Sequence, residues 1–164
     1  MVYASSSSVY GEAPDLPLRE DGPCRPVSPY GVTKLAAEHL AVLYHRSYGL
    51  RTVSLRYFTV FGPRQRPDMA FRKFIMAALA GRTFEVYGDG NQTRDFTYVI
   101  DAVRSNVLAV AAQQAGDVFN TGGGHRVVFK DALGMLEDLL RQRIPDLEIT
   151  VRYRPVAEGD VLDT

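Results

Sequence analysis

Tyr30 and Lys34 stand four residues apart in Tyr30-Gly31-Val32-Thr33-Lys34, and in a helix two such side chains share one face about a turn apart. A phenol with an ordinary pKa of about 10 is a poor base at neutral pH, and a neighbouring ammonium favours its ionised form. The pair could therefore exchange a proton with a substrate hydroxyl. Upstream runs Ser5-Ser6-Ser7-Ser8, followed by Val9-Tyr10-Gly11. A serine hydroxyl at the end of a strand would give a second hydrogen-bonding group for the same substrate oxygen.

These residues need elements to hold them. Val2 to Ser5 reads as the end of a buried strand, which delivers the serines to the edge where open α/β sheets place their ligands. A loop from Gly11 to Pro29 carries five of the nine prolines. Ser28 then suits a helix N-cap and Pro29 the first helical position. Leu35, Ala36, Leu40, Leu43 and Tyr44 keep helical spacing as far as a stop at Gly49. Arg51 to Tyr57 alternates apolar and polar residues as a strand does. Strand, helix and strand in that order predict one βαβ crossover of a parallel sheet.

Further on, the spacing predicts a helix over Met69 to Ala80, a short strand over Phe84 to Tyr87, and a strand-to-strand turn at Gly88-Asp89-Gly90-Asn91. A helix from about Tyr98 to Gln113, a strand at Val118 to Asn120, a helix from about Lys130 to Arg143 and a strand at Ile149 to Tyr153 complete the pattern. Gly122-Gly123-Gly124 lacks both the P-loop Lys-Ser/Thr and the GxGxxG spacing, so it reads as a strand-to-loop turn.

The composition sets the frame. A chain of 164 residues can form one domain with a sizeable core, and 46% hydrophobic with 23% charged residues is ordinary for a globular protein. Basic and acidic residues both number 19, which leaves no global charge for nucleic acid or an anionic membrane surface. Any anion site must be local, and Arg outnumbers Lys by 16 to 3, a bias towards forked contacts with carboxylates or phosphates. The single Cys24 excludes an internal disulfide and a cysteine zinc cluster; with no basic-apolar leader and no long apolar run, the expectation is a cytoplasmic protein. His39, His45 and His125 show no metal spacing.

Three segments together, Ala4 to Gly11, Pro29 to Lys34 and Leu55-Arg56-Tyr57-Phe58, resemble the extended short-chain dehydrogenase/reductase family. Within it the chain looks most like nucleotide-sugar 4-epimerases acting on UDP-hexoses or UDP-uronates, and the likeness covers essentially all 164 residues. The resemblance implies NAD as cofactor and a UDP-sugar as substrate, with hydride leaving the sugar C4 and returning to its other face. It makes Tyr30 the acid/base, Lys34 the group that activates it and holds the nicotinamide ribose, and Ser6 the hydroxyl partner, with Ser7 and Ser8 as alternates; Phe58 would lie beside the cofactor.

The segment Gly62 to Phe71 looks like the UDP-glucuronate 4-epimerases, so Thr59 and Arg66 would meet the sugar carboxylate. Arg94, in Thr93-Arg94-Asp95, resembles the residue that grips the diphosphate, with Asp95 capping or orienting its neighbour. Val86 and Tyr87 sit where the family packs the uracil ring, with packing in the core as the alternative. Asp160 resembles a last nucleotide contact, although Ala157 stands where the family usually has Arg. Dehydratases and decarboxylases of the family carry an acidic residue just before Val-Tyr-Gly, where this chain has Ser7 and Ser8, so dehydration is disfavoured.

The family's opening strand, glycine-rich turn and acidic ribose contact are not among the 164 residues. The expected fold is thus α/β: the C-terminal part of a Rossmann-type parallel sheet plus a small α/β substrate-binding domain. Residues 1–60 would be the Rossmann remnant with the serine and Tyr/Lys motifs, and residues 61–164 mainly the sugar-nucleotide region, with segments near 98–121 returning to the sheet. The chain is expected to be a fragment that holds NAD weakly and turns over little alone. Relatives pair through the Tyr/Lys helix, which implies a homodimer at full length; Leu35, His39 and Leu43 could serve that pairing or equally belong to the core. Two alternatives stand beside this: another member of the family, such as a dehydratase, decarboxylase or reductase, or a non-catalytic remnant that binds UDP-sugars.

Overall fold

Strands β1 (Val2–Ser6) and β2 (Val53–Tyr57) run side by side and parallel, Val2 opposite Val53 and Ser6 opposite Tyr57, in a computed structural model that describes residues 1–12 and 16–156. Helix α1 (Pro29–Tyr48) makes the crossover between them. Its start follows from two residues: Ser28 accepts a hydrogen bond from the Gly31 N–H at 3.1 Å, and Pro29, which has no N–H to lose, occupies the first helical position. Its end follows from Gly49, whose φ of 68° no branched residue would adopt cheaply and whose N–H closes on the His45 carbonyl at 3.0 Å.

On the far side of β2 lies the last strand of this sheet (Asp117–Thr121), again parallel, with Tyr57 opposite Thr121. Covered on both faces, Val53 to Arg56 are all buried, as the middle strand of a parallel sheet should be. The sheet therefore delivers Ser6, Tyr57 and Thr121 to one edge.

Beyond that edge the strands are shorter. Strand β3 (Thr59–Phe61) pairs in parallel with β5 (Thr93–Tyr98), which pairs antiparallel with β7 (Arg126–Val128). Strand β4 (Phe84–Tyr87) pairs in parallel with β8 (Val151–Arg154). Helices α2 (Ala70–Leu79) and α4 (Phe129–Arg143) pack on β4 through a core of Phe74, Ala77, Phe84, Val86, Phe129 and Leu133, while α3 (Val99–Ala111) follows β5 directly. Asp117–Thr121 is β6 in chain order.

Several expectations change here. Gly88-Asp89-Gly90-Asn91 does connect two strands, yet β4 and β5 lie in different sheets and do not form a hairpin. β3, β5 and β7 were not foreseen: two are three residues long, and β5 alternates weakly, with polar Thr93, Arg94, Asp95 and Thr97. The glycine turn is a loop between β6 and β7, held by Asp95, which accepts from the Gly123 and Gly124 N–H groups. Among the described residues no helix is long and apolar enough to cross a membrane.

Candidate active site

Ser6 ends β1 and caps the single 3-10 turn Ser7–Val9: its hydroxyl accepts from the Ser8 N–H at 3.2 Å and donates to the Ser8 hydroxyl at 3.1 Å. The first turn of α1 packs straight onto this bend. A Cβ on Gly31 would lie 2.5 Å from the Ser8 carbonyl oxygen and 2.9 Å from the Pro26 Cβ, so only glycine allows the approach. That contact sets Tyr30, the neighbour of Gly31, beside the serine bend.

Lys34 lies one turn further along α1. Its ammonium donates to the Ala4 carbonyl at 2.8 Å and sits 5.5 Å from the centroid of the Tyr30 ring and 5.4 Å from that of Tyr3. Burial, with Glu38 and Tyr30 adding to it, pushes the Tyr3 phenol above its ordinary pKa. Tyr30 is 54% exposed and lines a cavity of about 320 Å3 with Phe58, Val60, Arg66, Met69 and Val99. Lys34 thus ties α1 to β1 beside Tyr30, Ser6 ends β1 at the bend on which α1 packs, and Tyr30, Phe58 and Arg66 share one cavity.

Phe58 is fixed by its N–H, which donates to the Thr121 carbonyl at 3.1 Å. It also borders a second cavity of about 550 Å3 lined by Leu16, Pro17, Asn120, His125 and others. Thr59 opens β3 opposite Phe96. The Arg66 guanidinium is on the surface and donates to Asp68 at 3.1 Å. Arg94, on β5, donates to the Thr93 carbonyl at 2.8 Å, away from the Tyr30 cavity.

Val86 and Tyr87 are split. Alternation along β4 puts Val86 inside, 1% exposed against Phe74, Phe84 and Phe129, while Tyr87 faces out at 52%. A ring cannot pack on the Val86 side chain there, so the expected pair reduces to Tyr87. The neighbouring Gly88 lines a surface cavity of about 620 Å3 with Tyr153 and Arg154. Arg154 donates to Glu85 at 2.6 Å, and that carboxylate raises its pKa. Asp160 lies outside the described residues, as does Ala157.

One feature escaped sequence reasoning. Glu38, one turn past Lys34, is 2% exposed, and Arg56, in the middle strand, is 4% exposed. They pair bidentately, Nε to Oε1 at 2.9 Å and Nη2 to Oε2 at 2.8 Å. Arg56 also donates to the Tyr10 hydroxyl at 2.9 Å, and Tyr10 donates to Asn120 at 2.6 Å. Burial alone would lower the Arg56 pKa, but the Glu38 and Tyr10 hydrogen bonds hold it above its ordinary value. The available signal was an arginine inside an otherwise buried strand, which requires an acid somewhere nearby.

The donors present match the ribose end of a dinucleotide. Lys has three N–H donors, of which the Ala4 carbonyl takes one, and the Tyr30 ring lies 5.5 Å from the same ammonium. No glycine-rich pyrophosphate turn accompanies them within the 164 residues.

Comparison with known proteins agrees with this arrangement. The model of the NAD dependent epimerase/dehydratase family matches residues 1–122. The chain is 44% identical over 140 residues to an uncharacterized UDP-glucose epimerase, YtcB, of Bacillus subtilis, covering 84% of this chain and 44% of the relative. It is 38% identical over 146 residues to a UDP-glucuronate 4-epimerase of Thermodesulfobacterium geofontis, covering 87% and 44%. The crystal structure of a UDP-glucuronic acid 4-epimerase from Bacillus cereus, in complex with UDP-glucuronic acid and NAD, superposes with a TM-score of 0.89 at 42% identity over 99% of this chain and 51% of that one. The chain spans about half the length of these relatives. With the family model matched over residues 1–122 and Lys34 set beside Tyr30 on α1, the chain belongs to the NAD dependent epimerase/dehydratase family.

Proposed function

We propose that the chain carries the proton-transfer groups and the sugar-nucleotide region of a NAD-dependent UDP-sugar 4-epimerase. The observation that carries the reading is the Tyr30 side chain, whose ring centroid lies 5.5 Å from the Lys34 ammonium and which lines one cavity with Arg66. Tyr30 accepts the proton of the sugar O4 and later returns it, and its exposed hydroxyl is reachable from the cavity. Lys34, beside the Tyr30 ring, holds the ribose hydroxyls with the donors that Ala4 leaves over. Ser6 donates a hydrogen bond to the same O4, exchanging its present partner Ser8 for the substrate. NAD, when bound, supplies the acceptor for the C4 hydride and gives that hydride back. Phe58 excludes water beside that centre.

Thr59 and Arg66 contact the substituent at C6, and a forked guanidinium favours a uronate over a hexose. Arg94 holds the diphosphate, and Tyr87 stacks on the uracil from the surface of β4. The Tyr10-preceding serines, with no carboxylic acid among residues 5 to 9, support epimerisation over dehydration. The exposed apolar side chains of α1, among them Leu40, Leu43 and Tyr44, support pairing of two copies through this helix.

Calorimetric titration of the 164-residue chain with UDP-glucuronate and UDP-glucose tests the substrate side. Arg66→Ala should weaken UDP-glucuronate by about tenfold and UDP-glucose by less than about twofold. Equal losses would remove Arg66 from recognition of C6, and no binding of either nucleotide would sink the UDP-sugar assignment.

A further inference from the structure

Glu38, Arg56 and Tyr10 do not reach the Tyr30 cavity, yet they account for the tightest buried polar cluster of the described residues. Their bonds converge on the serine bend from both sides. Before the bend, the Ser5 hydroxyl donates to Glu38 Oε1. After it, the Tyr10 hydroxyl accepts from Arg56 Nη1 at 2.9 Å, and its ring lies 4.7 Å below the guanidinium carbon. Arg56 joins the two ends through its bidentate pair with Glu38. Tyr10 also passes its proton-side bond to Asn120, whose amide donates to the Leu18 carbonyl at 3.0 Å, while Arg56 reaches the Glu20 carbonyl at 3.3 Å.

A buried ion pair of this kind rarely adds net stability over well-packed apolar side chains, because desolvating two charges cancels most of their attraction. What apolar groups cannot supply is direction. Here the direction is spent on Ser5 and Tyr10, the residues that flank Ser6 to Val9. Between those clamped ends the Ser6 oxygen accepts from the Ser8 N–H at 3.2 Å and its hydroxyl donates to the Ser8 hydroxyl at 3.1 Å.

We propose that Glu38, Arg56 and Tyr10 are positioning residues that clamp the serine bend and so orient the Ser6 hydroxyl towards the start of α1; the inference rests on the reading of Ser6 and Tyr30 as a proton-transfer pair. The clamp acts through Ser5 and Tyr10, not by touching substrate.

The test replaces the pair by apolar side chains of similar volume, Glu38→Leu with Arg56→Met, in the 164-residue chain. The thermal midpoint should stay within about 5 °C of the parent. At that unchanged stability the Ser8 amide, which reports the Ser6 bond, should shift in the nitrogen-proton spectrum and exchange with deuterium at least about tenfold faster. In the chain joined to the part of the Bacillus cereus structure that it does not cover, kcat should fall by about tenfold with KM within about twofold. Tyr10→Phe and Ser5→Ala, which leave no charge unpaired, should move the Ser8 amide in the same sense by a smaller amount and secure the result if the double variant does not fold. A native Ser8 amide in all three variants, or a kcat equal to that of the parent, would overturn the clamp. If Tyr30→Phe leaves turnover intact, the functional reading fails by itself, and the Ser8 amide still decides whether the clamp exists.

Discussion

At the scale of single residues, the spacing between the serine bend and α1 is set by the absence of one methyl group. Gly31 abuts the Ser8 carbonyl and Pro26, both on backbone or ring atoms that cannot swing away. Gly31→Ala should therefore cost about 1–3 kcal/mol of unfolding free energy by overpacking, read as a lower urea midpoint at constant slope. An unchanged midpoint would show that the bend yields freely. Tyr30 and Lys34 were legible from their spacing, since the period of a helix dictates a shared face. Glu38, on the same helix, was not. Its carboxylate reads as a solvated surface charge until Arg56 is seen opposite, and that contact spans 18 positions of the chain. Val86 shows a different limit: the sequence leaves it between ligand contact and core, and the alternation of β4 turns it inward while Tyr87 faces out.

At the scale of elements, α1 is specified locally at both ends, and both signals could be read from the chain. Ser28→Ala removes the cap on Gly31 and should destabilise the protein by about 1 kcal/mol, measurable in the same urea experiment, with Ser28→Asp restoring most of the loss. Recovery failing with Asp would mean that Ser28 acts through packing and not as a cap. The βαβ unit was legible because β1, α1 and β2 each carry a pattern of their own length. The pairings β3 with β5, β5 with β7 and β4 with β8 were not, because partners of three to six residues are chosen by tertiary contacts such as Phe71 stacked on Phe96 at 4.7 Å. The turn after β4 shows the same limit: its glycines, with φ of 80° and 78°, reverse the chain, but nothing local says which strand will lie alongside.

At the scale of the whole molecule, the buried cluster ties stability to pH. Burial raises the Tyr10 phenol above its ordinary value against the lowering effect of Arg56, and burial likewise raises Tyr57. Because these folded-state values exceed the unfolded one of about 10, the folded chain keeps the two protons longer than the unfolded chain. Their contribution is present below about pH 10 and is lost as the pH rises through the higher folded values. The urea midpoint should thus decline from about pH 10 upward, and less steeply in Tyr10→Phe; parallel declines would exclude Tyr10 as the source. The same cluster joins the sheet that ends in Ser6 to the loop around Leu18 and Glu20, so one set of bonds organises the edge where both cavities open.

The central claim is that Tyr30 moves a proton at the sugar C4 position while no net redox change occurs. It is tested most directly by proton magnetic resonance of UDP-glucuronate mixed with NAD and the chain joined to the part of the Bacillus cereus UDP-glucuronic acid 4-epimerase that it does not cover. The account predicts that the galacto-configured product accumulates to equilibrium without net NADH, and that Tyr30→Phe lowers the rate by at least about a hundredfold while the nucleotide still binds. Turnover equal in parent and variant, or a nucleotide that binds with NAD and never changes configuration, would contradict it.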